Sequence, residues 1–150
     1  MRSALSRSPG IARLRVRDVM IAPHTITATE PWRAALAPLA GGALALAVVE
    51  ADGTLSGYCG REELTAAIGR GLPFDTPMRQ VADTGTTTLR ADHSLPVAMG
   101  HLLRSGRDLL AVTDGGRQVL GMFGLIEAVG ALTSEDAATV HEDAEIVHDP

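Results

Sequence analysis

The chain has 150 residues, a hydrophobic fraction of 45% and a formal net charge of −5. This length fits one compact domain or two small halves that share a core. Because there is no basic excess, a nucleic-acid-binding face is not expected. The sequence contains no lysine, which excludes a Walker-type phosphate loop and a lysine Schiff base. It also lacks asparagine, and this usage is typical of a GC-rich bacterial genome.

Cys59 is the only cysteine, so neither an internal disulfide nor a cysteine-based zinc site can form. A reducing cytoplasm is therefore the expected compartment, and the first residues lack the apolar segment of a signal peptide. The apolar stretch 34–49 is too short for a membrane span and contains Pro38, Gly41 and Gly42. It predicts a helix, a turn and a buried strand, without membrane insertion.

The first half of the chain predicts a lead-in segment, a strand, a helix, a hairpin of two strands and a second helix. Residues 1–14 are expected to form a flexible arm, and "VRDVM" at 16–20 leads into a strand near 25–27. Trp32, Leu36 and Leu39 share one face of a helix that Pro38 shortens. A buried strand covers 43–50, Asp52-Gly53 makes the hairpin turn, and Gly60 opens the next helix.

The second half repeats this order. Residues 78–83 match 16–21 and residues 86–94 match 24–32, both at a spacing of 62 positions. The following helix carries a stripe of Leu95, Met99, Leu102 and Leu103. The spacing then grows to 64, because the second copy is two residues longer around 104–108. The sequence therefore predicts two β-α-β-β-α units with pseudo-two-fold symmetry, at 15–72 and 73–132, followed by an acidic tail at 133–150.

The order "VRDVM…TIT…E…AL…AVVEADGTLSGYCGREEL", with the second-copy core "LLAVTDGGRQVLGMFGLIEAV", resembles the CBS domain, named after cystathionine β-synthase. The resemblance covers roughly residues 15–132. It implies an α/β (α+β) fold in which two copies pack through their sheets, an arrangement called a Bateman module. Such pairs commonly dimerise, bind adenosine-type ligands in two clefts, and regulate attached or partner proteins.

The family's strand-end motif is Gly, two hydrophobic residues, Thr or Ser, two further residues and Asp. Here Gly60 and Gly124 replace the hydroxyl residue, and Glu63 and Glu127 replace the aspartate that accepts ribose hydrogen bonds. Glycine lets a ligand approach backbone N–H groups at a helix start, where anions bind favourably. The alternative interpretation is structural: the glycines only make tight turns, and the glutamates only complement the helix dipole.

The resemblance implies that each cleft combines the motif of one copy with the first strand of the other. The expected ligand-binding residues of the first cleft are Gly57, Tyr58, Cys59, Gly60, Arg61 and Glu63, with Thr86, Thr87 and Thr88. Those of the second cleft are Gly121, Met122, Phe123, Gly124 and Glu127, with His24, Thr25 and Ile26. Tyr58 or Phe123 would flank a purine ring and Arg61 would reach a phosphate. The implied ligand is AMP, ATP or another adenosyl compound, with no required cofactor.

Catalytic motifs are missing from the sequence. No GxSxG, HExxH or CxxC occurs, and no nucleophile–base pair can be assembled, so we expect no catalytic residues and no enzyme. Cys59 is interpreted as a small buried hydrophobe rather than a redox thiol. The acidic tail contains metal-ligand residue types, but a charge run of this kind favours a solvated segment and no metal site. Those residues are His141, Glu142, Asp143, Glu145 and His148.

The leading hypothesis is a regulatory CBS pair that senses an adenosine-type nucleotide and signals to a protein partner. A homodimer is expected, since the helices "ELTAAI" and "LIEAVGAL" present small residues and two-fold pairing is the commonest closed assembly. Two alternatives stay open. One is a ligand-free interaction module with degenerate clefts, and the other is a regulatory piece of a membrane transporter or membrane protease.

Overall fold

The strands form two three-stranded sheets of identical topology. The structure, a computed structural model, describes residues 13–133. The first sheet has the order β1-β2-β3 and the second the order β4-β5-β6. The strands are β1 (Thr25–Thr27), β2 (Ala45–Val49), β3 (Leu55–Gly60), β4 (Leu89–Arg90), β5 (Leu109–Thr113) and β6 (Val119–Gly124). In each sheet the central strand is parallel to the first strand and antiparallel to the third. The prediction that 43–49 and 109–113 contain equivalent strands is confirmed.

The helices are α1 (Val16–Val19), α2 (Leu36–Ala40), α3 (Arg61–Gly69), α4 (Met78–Val81), α5 (Leu95–Ser105) and α6 (residues 125–133). A 3-10 turn, Trp32–Ala35, precedes α2. Pro38 explains this junction, because it has no N–H to donate to the carbonyl four residues earlier. In the equivalent α5, Pro96 lies in the first turn, where no such bond is lost. This helix therefore continues to Ser105 and is capped by Gly106, which has a left-handed φ of 71°.

The two sheets pack face to face through small side chains. Both central strands, β2 and β5, are buried along their whole length, as their uninterrupted apolar sequences predict. The contact between the sheets consists of Ala45, Ala47, Val49, Leu55 and Tyr58 from the first and Leu109, Ala111 and Met122 from the second. The alanines let the sheets approach closely, and the interface leaves Tyr58 as its one aromatic ring.

Each copy places its lead-in helix in the core of the other copy. Met78 of α4 packs with Trp32 in the core of the first copy, whereas Val16 of α1 packs with Phe123 in the core of the second. The lead-ins continue as extra backbone pairs at the sheet edges. Asp83 and Tyr58 exchange two hydrogen bonds of 2.9 and 3.0 Å, and Ile21 and Met122 exchange two of 2.9 Å. The two repeats are therefore interlocked through their lead-ins.

Two predicted details differ from the structure. Leu103 is 70% exposed, because the buried face of α5 is formed by Leu95, Ala98 and Leu102, and Leu103 follows one residue round the helix. Leu36 is also exposed, at 39%. Most of the predicted arm and nearly all of the acidic tail lie outside the described residues. Within residues 13–133, no helix combines the length and hydrophobicity needed to cross a bilayer.

Candidate functional site

The predicted strand-to-helix motif forms a capped turn in both copies. Oε1 of Glu63 accepts a hydrogen bond of 2.8 Å from the backbone N–H of Gly60, and Glu127 accepts one of 3.0 Å from Gly124. Each glutamate thereby satisfies an N–H at the start of its helix that has no partner inside the helix. The recurrence of the motif therefore has a local structural cause, and the two glutamates perform the same capping task.

In the first copy alone, the glutamate also binds an arginine from the other repeat. The guanidinium of Arg107 donates to Glu63 at 2.9 and 3.3 Å and to Oδ2 of Asp83 at 2.5 Å. Its central carbon lies 4.3 Å from the centroid of the Tyr58 ring, in cation–π geometry. The side chains of Arg107 and Glu63 are only 15% and 12% exposed. A third carboxylate, that of the exposed Glu62, lies 3.4 Å from the same guanidinium. One arginine thus joins three carboxylates and an aromatic ring that come from both repeats.

The charges of this cluster are well defined. Its hydrogen bonds, first of all the one to Glu63, raise the pKa of Arg107. The pKa of Asp83 is lowered, chiefly by a hydrogen bond from the backbone N–H of Gly85 and further by Arg107. Burial raises the pKa of Tyr58 to about 12 and that of Cys59 to about 12. At neutral pH Arg107 and Asp83 are therefore charged, whereas the phenol of Tyr58 and the thiol of Cys59 are neutral.

Two cavities lie on either side of this cluster. The smaller, of about 10 Å³, is lined by Leu55, Ser56, Gly57, Tyr58, Asp83, Thr84, Thr86, Thr87, Thr88, Ala111 and Arg117. The larger, of about 330 Å³, is lined by Leu44, Tyr58, Gly60, Arg61, Glu62, Gly106, Arg107 and Asp108. Tyr58 contributes to both walls. Asp83 lies on the small side and Arg107 on the large side, so their ion pair runs between the two cavities.

The structure brings most residues predicted for the first cleft to these two cavities. Gly57 and the three threonines surround the small one, Gly60 and Arg61 border the large one, and Glu63 binds Arg107 between them. Cys59 instead lies in the core of the first copy, fully buried, and lines neither cavity. This burial confirms its interpretation as a small hydrophobe.

Sequence reasoning missed Asp83, Arg107 and Arg117. A partial signal for Arg107 was present, because it lies close to the point where the spacing of the repeat changes from 62 to 64. Arg117 occupies the position that corresponds to Gly53 in the first hairpin. It adopts a left-handed φ of 71°, which is unusual for a residue with a side chain. Its guanidinium donates to the carbonyl of Leu55 at 3.0 Å, at the border of the small cavity.

The residues predicted for the second cleft have different surroundings. Met122 and Phe123 are buried, Phe123 in the core of the second copy, and Ile26 is buried in the core of the first. His24 and Thr25 are exposed. Gly121 lies directly against the lead-in, since a Cβ placed there would be 2.8 Å from both the Met20 sulfur and the Ile21 carbonyl oxygen.

The strand registers show that the two clefts differ chemically. Tyr58 and Met122 occupy equivalent positions in β3 and β6, and their lead-in partners are Asp83 and Ile21. Arg107 precedes β5 by two residues, and the residue that precedes β2 by two is Ala43. The first cleft therefore has a tyrosine, an aspartate and an arginine at three positions where the second has apolar side chains.

Among residues 13–133, no group of three or more histidine, cysteine, aspartate or glutamate side chains could hold a metal ion. The candidate ligands in the acidic tail, His141 to His148, lie outside the described residues. Neither a protein-family model nor a curated protein matches the chain.

Solved structures do match it. CBSX2 in complex with AMP shares 19% identity, covers 80% of this chain and 96% of its own, and has a TM-score of 0.73. CbpB in complex with c-di-AMP shares 14%, covers 92% and 97%, and has a TM-score of 0.78. The CBS domain pair of MJ0100, in complex with 5′-methylthioadenosine and S-adenosyl-L-methionine, shares 17%, covers 82% and 98%, and has a TM-score of 0.69.

The duplicated sheets and exchanged lead-ins define a tandem α+β repeat protein with a cleft where the two copies meet. Its architecture is the fold of a CBS domain pair, shown by the agreement with these structures over most of the chain. The resemblance found in the sequence and the predicted α+β class are thereby confirmed. At these identities the likeness concerns the fold alone.

Proposed function

We propose that the chain is a non-enzymatic regulatory module that binds an adenosine-type nucleotide in its first cleft and signals to a protein partner in a bacterial cytoplasm. The observation that carries the proposal is the cavity of about 330 Å³ at the start of α3, bordered by Tyr58, Arg61 and Arg107. Its size is at the lower end of the range for small-molecule sites. An aromatic ring and two guanidinium groups are suited to a base and a phosphate.

Two further features support the proposal. The hydroxyl-bearing segment Thr86–Thr88 faces the same cluster from the small cavity and offers both donors and acceptors. Three of the structures with the same fold are complexes with AMP, c-di-AMP and S-adenosyl-L-methionine, all of which contain adenosine. The polar groups are concentrated in the first cleft, so we assign the nucleotide to that cleft.

A thermal-shift screen with AMP, ATP, NAD, c-di-AMP and S-adenosyl-L-methionine tests the proposal. A ligand at one hundred times its Kd stabilises the folded state by about 2.7 kcal/mol, which raises the Tm of a chain of this size by roughly 5–10 °C. Arg61→Ala should reduce the shift produced by a phosphorylated ligand. The matched control is Arg104→Ala, which removes an exposed arginine of α5 that lines neither cavity and should leave the shift unchanged. No shift with any of the five compounds at millimolar concentration would contradict the proposal.

One observation favours the alternative of a ligand-free interaction module. Glu63, the expected ribose acceptor, already accepts hydrogen bonds from Gly60 and Arg107. A cleft whose acceptor groups are already hydrogen-bonded within the protein is expected for a site that no longer binds a ligand. In that case the screen would give no shift, and affinity capture on the intact chain would yield a partner independently of nucleotide.

We also propose that the chain forms a homodimer. Helix α6 exposes Leu125, Ile126 and Val129 at 47%, 70% and 50%, and Ile68 of α3 is 62% exposed. Such apolar side chains would be covered in a symmetric pair of this kind. Sedimentation velocity at high micromolar concentration should give a dimer that Ile126→Glu dissociates, and a monomer for the unaltered chain would refute the assembly.

A further inference from the structure

The first cleft contains a cation that its counterpart in the second copy lacks. Arg107 precedes β5 by two residues, and Ala43 stands at the corresponding position before β2. The first cleft therefore has a guanidinium at a position where the second cleft has only the methyl group of an alanine. This difference between the clefts is encoded by residue identity. The capped turn forms in both copies, so the arginine is not required for the turn.

Arg107 also lies where the two cavities are nearest to each other, beside Tyr58, which lines both. Its ion pair with Asp83 has a length of 2.5 Å and lies between the cavities of about 330 Å³ and about 10 Å³. The small cavity has room for about one water molecule, so a nucleoside cannot enter it while the pair is closed. If the guanidinium moved away, the hydroxyl groups, the Tyr58 ring and the Glu63 carboxylate would face one continuous cleft.

We propose that Arg107 is a gate of the first cleft, and that the ligand binds the state in which its ion pairs with Asp83 and Glu63 are open. The inference rests on the proposed function and names the regulation of that site. Movement of the guanidinium also frees an oxygen of Glu63 for a ribose hydroxyl and gives a phosphate its positively charged partner. The contacts that close the gate are thus the ones that a phosphorylated ligand replaces.

The energetic consequence is a lowered apparent affinity. When the competent state is a minor population, the apparent Kd is the intrinsic Kd divided by that population. The apparent Kd of an uncharged ligand is raised by this full factor. Such a ligand has no phosphate to bind the displaced guanidinium, so it makes no new contact that offsets the opening of the gate. Adenosine binding is therefore the measurement that reports on the gate, whereas AMP binding reports on whether the cleft is a nucleotide site at all.

The experiment is calorimetric titration of the full chain with adenosine and with AMP. Arg107→Ala removes the gate, and Asp83→Asn weakens its closed state while keeping the guanidinium. The matched control is Arg104→Ala, which removes an exposed arginine of α5 three residues before Arg107 whose described contact is with His101. We expect both gate variants to bind adenosine about tenfold more tightly, as for a competent state populated at about 10%, and the control to bind like the unaltered chain. Circular dichroism verifies folding, and Asp83→Asn carries the test if Arg107→Ala does not fold.

The outcomes separate the gate from the site. Binding of adenosine that appears only in the two gate variants would also support the gate. If the unaltered chain binds AMP and the gate variants bind adenosine no more tightly than the control does, the gate is wrong and the proposed function stands. If no protein binds either compound, both proposals are wrong. Equal loss of adenosine and AMP affinity in Arg107→Ala would make Arg107 a direct ligand contact and refute the gate.

Discussion

Replacement of Glu63 by alanine tests the site most directly without any ligand. From the sequence, Glu63 is a helix-start residue, and its removal would change stability little. In the structure the carboxylate is 12% exposed, caps Gly60 and holds Arg107 through two hydrogen bonds. We therefore expect Glu63→Ala to destabilise the fold substantially, even though the residue lies at the surface end of a helix.

The magnitude follows from a comparison of the two copies. Glu127→Ala loses one capping hydrogen bond, worth about 1 kcal/mol. Glu63→Ala loses the equivalent bond and also leaves Arg107, which is 15% exposed, with one fewer carboxylate. Hydrogen bonds to charged groups contribute about 1.5–3 kcal/mol, but Asp83 still pairs with the arginine. We expect a total loss of about 2–3 kcal/mol for Glu63→Ala.

The assay is urea unfolding followed by the fluorescence of Trp32, the only tryptophan, which is 1% exposed in the native state. The expected difference between the two variants is about 1–2 kcal/mol in the free energy of unfolding. If the same variants are unfolded by heat, this corresponds to a Tm difference of roughly 2–8 °C at this chain length. A double-mutant cycle with Arg107→Ala isolates the pair, and its coupling energy should account for that difference.

Equal losses for Glu63→Ala and Glu127→Ala would refute the reasoning. A coupling energy near zero between Glu63 and Arg107 would refute it as well, because the arginine would then be bound by its other carboxylate partners, Asp83 and Glu62. Either result would also remove the structural basis for a closed gate, whatever the nucleotide titrations show.

The remaining predictions concern the core, the exchanged lead-ins and acid stability. Cys59 should resist alkylation at pH 8 in the native protein and react only on unfolding, because burial raises its pKa to about 12; rapid native labelling would contradict its placement. Gly121→Ala should cost about 1–3 kcal/mol by overpacking against the first lead-in, measured by urea unfolding, whereas Gly130→Ala, with no atom within 4 Å of its added Cβ, should be neutral or stabilising. Because the pKa of Asp83 is lowered in the folded state, its contribution is present above the ordinary pKa and is lost as the pH falls. Unfolding free energies measured from pH 6 to pH 2.5 should therefore fall below about pH 4, and less steeply in Asp83→Asn; parallel profiles would contradict this.

Much of the fold could be predicted from the sequence, because the signals concerned are local. The apolar runs at 45–49 and 109–113, the Asp52-Gly53 turn and the spacing from Gly60 to Glu63 each act within a few residues. Their recurrence at a nearly constant spacing then revealed the duplication. A short window of residue types was sufficient for each of these features, and the structure has each of them where it was predicted.

The tertiary structure decided the features that depend on residues distant in the chain. The exchange of lead-ins places Met78 beside Trp32 and Val16 beside Phe123, and both short segments are apolar enough to fit either core. Arg107 and Glu63 are 44 positions apart and meet only because the sheets pack face to face. No local pattern encodes which carboxylate an arginine will reach. The duplication can therefore be identified from the sequence alone. The difference between the two clefts depends on long-range packing, because only that packing brings charged groups from the two copies within hydrogen-bonding distance.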